Sequence, residues 1–217
     1  MATPNNYFVD PSVASDGGDG TVGNPWTRAS GSVVQYALDT ITRDSTDGDI
    51  INIKSGADDV LSAELSTTSY GTPAITAPLA FRGYTSAAAD GGIGQIDCGT
   101  NALFTVSTSG GVYFADLKVH NVGSTPTAAI NDLYRGIVHN CEFTDIDTDV
   151  IVVRDTTLSQ CIITSCNFND VSGIGVDLEG GGNLVQGNYF KNGTKDFSYC
   201  IYGDQTTDVV SHNIFSL

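Results

Sequence analysis

Five segments of the chain share the pattern apolar-x-x-(Asn/Cys/Leu)-x-(Phe/Val): Phe114 to Val119, Val138 to Phe143, Ile163 to Phe168, Val185 to Phe190 and Val210 to Phe215. Their first residues lie 24, 25, 22 and 25 positions apart. That period is too short for a repeated helix pair, and the stretches between the segments are β-branched or alternating: Ala128 to Ile130, Val150 to Val153, Ile174 to Leu178 and Cys200 to Tyr202. Each period therefore carries about three short strands and no helical pattern. A coil of three strands, stacked at about 4.8 Å per turn, is a parallel β-helix.

Stacking predicts columns of equivalent residues. One is Val119, Phe143, Phe168, Phe190 and Phe215, an internal aromatic stack; another is Leu117, Cys141, Cys166, Asn188 and Asn213. Asn in that second column suits an inward turn whose amide bonds the coils above and below, whereas Leu and Cys fill the same space with apolar bulk. Cys141 and Cys166 are then neighbours on adjacent coils, expected as packed thiols rather than a disulfide. The five cysteines show no CxxC and no His/Cys metal spacing.

Upstream, Asp49 to Lys54, Leu79 to Tyr84, Gly94 to Asp97 and Ala102 to Val106 read as further strands between Gly, Ser and Thr turns. Before them, apolar Val33, Val34, Tyr36, Ala37 and Ile41 are spaced for one face of a helix over about 30–44, with Ser30 or Ser32 as N-cap. The expected organisation is an N-terminal capping segment over 1–46, its helix covering an open sheet edge, and β-helix coils over 47–217. The last motif reaches Phe215 two residues before the sequence ends, so the C-terminal end is expected to be uncapped, the chain being a portion of a longer one or that end being covered by a partner subunit or a following domain.

Composition agrees. The 217 residues contain 22 Asp but only 3 Glu, with 25 Gly, which favours turns over helices. With 9 basic residues the formal charge is −16, so the surface repels phosphate backbones and anionic membranes, and neither nucleic acid nor membrane is expected as a partner. The opening MATPNNYFVD lacks a basic region followed by an apolar stretch, and no apolar run approaches about 18 residues. Asp in such excess over Lys and Arg also fits a protein working in high salt, where screening suppresses self-repulsion.

The opening also carries a resemblance. Tyr7-Phe-Val-Asp-Pro11, Ser15-Asp-Gly-Gly-Asp-Gly20, Asn24-Pro-Trp26, the helix and Gly48-Asp-Ile-Ile-Asn-Ile-Lys-Ser-Gly56 resemble the start of pectate-lyase-like right-handed β-helix proteins, a family of polysaccharide lyases, glycoside hydrolases and phage tailspikes. The resemblance implies an all-β, right-handed, single-stranded parallel β-helix with an N-terminal capping α-helix. It does not choose between enzymes and inert virion fibres, which share the fold.

Candidate chemistry lies in the acids. Asp132, Asp155, Asp177 or Glu179, and Asp204 fall near the ends of corresponding strands, forming an acidic ridge that would bind a glycan or a cation. Carboxylates about 5 or 10 Å apart suit retaining or inverting glycosidases, which makes Asp155, Asp177 and Asp204 the catalytic candidates, and oxygen ligands suit Ca²⁺. Asp145, Asp147 and Asp149 have the alternate spacing of a calcium loop, but Val150 and Thr156 stand where an EF-hand needs Gly and Glu. A lyase would need a base beside a cation, and Lys118, Arg135, Arg154, His120, His139 and His212 are the basic groups of the repeat region.

The leading expectation is a non-enzymatic virion protein, such as a capsid decoration, turret, fibre or spike of a tailed virus. It would oligomerise, contact other virion proteins and touch host-surface glycans. The alternatives are a polysaccharide lyase or glycoside hydrolase of tailspike type, and a secreted extracellular adhesin module.

Overall fold

The protein is described by a computed structural model that covers residues 3–106, 110–154, 158–203 and 207–216. The chain winds as a right-handed parallel β-helix, and every strand pairs in parallel with the equivalent strand of the neighbouring coil. Sheet 1 has eight strands in the order β1 (Asn5–Val9), β2 (Asp49–Lys54), β4 (Leu79–Tyr84), β7 (Val112–Ala115), β10 (Ile137–His139), β13 (Ile162–Thr164), β16 (Leu184–Gln186) and β19 (Val209–Ser211). Sheet 2 runs β3 (Asp58–Val60), β5 (Gly94–Asp97), β8 (Leu117–Val122), β11 (Glu142–Ile146), β14 (Asn167–Val171), β17 (Tyr189–Lys191) and β20 (Ile214–Ser216). Sheet 3 runs β6 (Phe104–Thr105), β9 (Ala128–Leu133), β12 (Asp149–Val153), β15 (Ile174–Leu178) and β18 (Tyr199–Gly203).

The registers reproduce the columns read from the repeat. Phe143 pairs with Val119 and Phe168, and Phe190 with Phe168 and Phe215. The rings stack at centroid separations of 5.3, 4.6 and 5.3 Å, offering one another faces in a core whose strand spacing sets the distance. The first repeat positions stack likewise on sheet 1, where Phe81 and Phe114 lie 5.4 Å apart. In the Asn/Cys column, Asn188 Oδ1 accepts from the Cys166 amide at 2.8 Å while its Nδ2 donates to Ile163 O and to Asn213 Oδ1. Cys141 and Cys166 are buried free thiols. Burial pushes the Cys141 thiol well above its ordinary value, reinforced by Cys166 beside it.

The corners use the Asp and Asn excess. Between sheets 1 and 2, Asp116, Asn140, Ser165 and His212 take φ of 55, 51, 58 and 55°; at the next-to-last residue of the sheet 2 strands β8, β11 and β14, where the chain turns towards sheet 3, Asn121, Asp145 and Asp170 take 59, 56 and 58°. Asp and Asn tolerate this left-handed conformation and bond locally, which Glu does poorly. Neighbouring corners tie together, Asn140 Nδ2 donating to Asp116 Oδ1 and Asn121 Nδ2 to Asp97 Oδ1, both at 2.7 Å.

Helix α1 spans Val33–Thr40, shorter at both ends than the expected 30–44. Ser32 is the N-cap, its Oγ accepting from the Gln35 amide, and at Ile41 the backbone returns to φ −65°, ψ 129°. The run Thr40-Ile-Thr42 is β-branched at every position, which favours that extended exit. The helix buries Val33, Val34, Ala37 and Leu38 in the same core as Ile51 and Ile53. Its N-terminus is held by Asp59 of β3, whose carboxylate accepts from the amides of Val33 (2.8 Å) and Val34 (3.4 Å) and from Ser32 Oγ. The preceding segment closes the outer edge of β1: Trp26 N donates to Phe8 O, Asp10 N donates to Trp26 O, and Trp26 stacks on Tyr7.

Candidate interaction surface

Along a strand whose inner residues fill the core, the alternate residues face outward. On sheet 1 the outward residue just before each inward position is Tyr113, Ile137, Ile162, Leu184 and Val209 on five successive coils, in continuous register. Ile162 is 39% and Val209 54% exposed, and Tyr113, Ile137 and Leu184 are half-buried against their column neighbours. Burial also raises the Tyr113 hydroxyl above its ordinary value. Beside this apolar column runs a polar one of Ala115, His139, Thr164, Gln186 and Ser211, linked by His139 Nδ1 to Thr164 Oγ1 (3.0 Å) and Gln186 Nε2 to Ser211 Oγ (3.2 Å). Neither column carries a carboxylate, in a chain with 25 of them. Nearer the N-terminus the same sheet is partly covered by the chain itself, Phe8 meeting Tyr84 edge-on at 5.2 Å.

The sequence-predicted acids are placed elsewhere. Asp132 sits at an irregularity of β9 with φ 56°, and its carboxylate lies 3.2 Å from Arg154 Nη2, which also donates to Val106 O. Asp177 is in register with Val152 and Tyr202, not with a second carboxylate, and Glu179 is exposed just beyond β15. Asp155 and Asp204 lie outside the described residues.

Asp145 and Asp147 close on Lys195, whose Nζ is 2.6 and 2.8 Å from them, so an ammonium occupies the position between these two carboxylates. Burial lowers the Lys195 value, but the two carboxylates outweigh it and hold the ammonium above its ordinary range. Asp149 turns to the adjacent coil and accepts from the Ile174 amide at 2.7 Å. Among the described residues, no three His, Cys, Asp or Glu side chains converge as a metal site. Of the basic candidates, Lys118 lies on the outer face of sheet 2 between Gln95 and Glu142, and His120 Nε2 lies 3.0 Å from Asp58.

Among the described residues a hollow of 770 Å³ opens at the last coil among Phe197, Cys200, Val210 and Phe215. Another, of 580 Å³, lies under the N-terminal segment beside the Asp10–Lys54 ion pair, 2.6 Å long and shielded on the Asp10 side.

The repeat did signal the sheet 1 face. A strand with one solvated face should read polar just before its inward residue, yet that position is apolar in all five motifs. Together these features define a right-handed parallel β-helix with one apolar, carboxylate-free outer face. Comparison with known protein families, with curated proteins and with solved structures finds no match for this chain.

Proposed function

We propose that this chain is a structural component of a virus particle, of the decoration, turret, fibre or spike kind, whose stack of coils serves as a stiff body that docks sideways. The observation that carries this reading is the apolar column of Tyr113, Ile137, Ile162, Leu184 and Val209 on the outer face of sheet 1. Covering such a face gains about 25 cal/mol per Å² of apolar surface removed from water, a return that comes from contact rather than from chemistry. The resemblance of residues 7–56 to pectate-lyase-like proteins is compatible with this assignment, since phage tailspikes are among them, and equally with an enzyme.

A host glycan is a second contact of the same protein. Asp177 adjoins Tyr202, and Tyr202 and Tyr199, 49% and 56% exposed, lie 5.3 Å apart. Exposed aromatic faces beside a carboxylate suit stacking and hydrogen bonding to a sugar ring.

The test has two arms. Purified particles whose genome encodes the chain are expected to contain it in stoichiometric amount by mass spectrometry. The purified protein is expected to bind but not shorten acidic and neutral polysaccharides. Cleavage by the wild type that disappears in Asp177→Asn would replace this reading with a lyase or glycoside hydrolase.

A further inference from the structure

We propose that the open part of the sheet 1 face pairs with the same face of a second copy of this chain, the two stacks running antiparallel about a two-fold axis that lies in the contact plane along β13, over Ile162. This rests on the reading of that face as a contact surface and names its occupant.

The argument is one of matching positions. A two-fold axis lying in the contact plane along β13 lays β10 on the partner's β16 and β7 on the partner's β19. Ile162 then meets the partner's Ile162, Ile137 meets the partner's Leu184, and Tyr113 meets the partner's Val209. The apolar column covers itself along its whole length. The polar column also meets itself, with Thr164 on the axis and His139 facing the partner's Gln186. Pairing about an axis along the stack would also cover the apolar column but would carry the two polar columns to opposite sides of it.

Charge selects the same arrangement. The corner between sheets 1 and 2 carries Asp116 next to β7 and His212 next to β19, so the antiparallel pair sets Asp116 against the partner's His212 at both ends. Asp145, Asp147 and Asp170 belong to sheet 2 or the turn that follows it and so lie off this face. A chain of charge −16 self-associates best through a face that keeps its carboxylates apart, and this face does so.

Sedimentation velocity on the full chain, at about 0.1 and about 1 M NaCl, tests the pairing; the screening length falls from about 10 to about 3 Å between them. The wild type is expected to form a dimer that tightens with salt, because screening relieves repulsion and leaves the apolar contact intact. Ile162→Glu, which puts two carboxylates on the axis, is expected to weaken it at least about 100-fold, and the uncharged Ile162→Thr about tenfold. Both variants are compared with the wild type by circular dichroism and melting temperature, and Asn167→Glu on the outer face of sheet 2 is expected to leave the dimer intact. His212→Asp, opposing the partner's Asp116, is expected to weaken it about tenfold, and adding Asp116→His to restore it. A dimer indifferent to Ile162→Glu and Ile162→Thr overturns the proposal. So does a wild type that stays monomeric at every concentration and salt; in that case, loss of particle incorporation by Ile162→Glu would preserve the assembly reading, and normal incorporation would remove that too.

Discussion

Asn188 has one side-chain amide and answers three demands with it: the Cys166 amide, the Ile163 carbonyl and the next Asn of its column. Asn188→Ala leaves buried backbone groups unpaired and is expected to cost about 1–3 kcal/mol per group, read as a lower urea midpoint with unchanged slope. Phe168→Ala removes the middle ring of the stack and is expected to cost about 3–5 kcal/mol in the same measurement. The cysteines give a chemical check on burial. Desolvation pushes Cys98 up to about 12 and Cys161 up to about 11, and Cys200 is only partly buried. Alkylation of the native protein near pH 8, read by mass spectrometry, is expected to label Cys200 well before the other four, and early labelling of Cys166 would contradict its packing. Both columns could be read from the period because stacked coils repeat an inward position faithfully. The partners of the acids could not. Arg154 Nη2 meets Asp132 of the preceding coil, because a side chain at a coil edge reaches a neighbouring coil as easily as its own.

At the level of elements, α1 is the piece most dependent on a distant residue. Eight residues are marginal as a helix in water, so its N-terminus relies on Ser32 and on Asp59 from β3. Asp59→Ala is expected to lower hydrogen-exchange protection of the Val33 and Val34 amides more than that of sheet 1 strands, whereas Asp59→Asn, which keeps an acceptor, is expected to retain most of it. Equal loss from both variants would show that charge, not acceptance, holds the helix. The apolar spacing of residues 33–41 predicted a helix and Ser32 its cap, but its stabilising carboxylate sits 26 residues beyond Val33, where no local pattern links them. Sheet 3 takes an irregularity at β9 and β12, and Asp177 falls beside Val152, three residues before the position that an unbroken period assigned to its neighbour.

For the whole molecule, charge and pH dominate. With a formal charge of −16, the melting temperature is expected to rise between about 0.1 and about 1 M NaCl as self-repulsion is screened, and a salt-indifferent melt would count against the high-salt reading. At the higher salt a pH dependence emerges. Backbone amides of Ser86, Ala87 and Thr85 hold Asp90 below the ordinary carboxylate value of 3.8. At Asp10 and Asp170 burial acts the other way and is outweighed, by Lys54 and Ser12 in the first and by Thr194 and Lys195 in the second. Depressed carboxylates stabilise the fold above 3.8 and lose that contribution as pH falls through their folded values, so melting is expected to drop below about pH 4. Lys195, raised by Asp145 and Asp147, contributes below 10.5 and loses its share as pH rises through its folded value. Asp59, raised by burial, opposes the acid trend, its contribution fading as pH rises above 3.8. A melting temperature unchanged from pH 7 to about pH 2 would remove these bonds from the account of stability.

By itself, the sequence determined the coil. A period of 22 to 25 residues fixes which side chains stack, because a parallel β-helix places each residue over its equivalent and the core accepts only apolar or self-bonding groups there. The Asp and Asn excess likewise belongs to corners that need left-handed backbone. Only the tertiary structure decided which acids meet Lys195, which carboxylate holds the helix, and that the apolar residue before each motif stands outside beside a carboxylate-free polar column. Those outcomes depend on close approach between coils at the edges, where the strict inward pattern no longer dictates the residue.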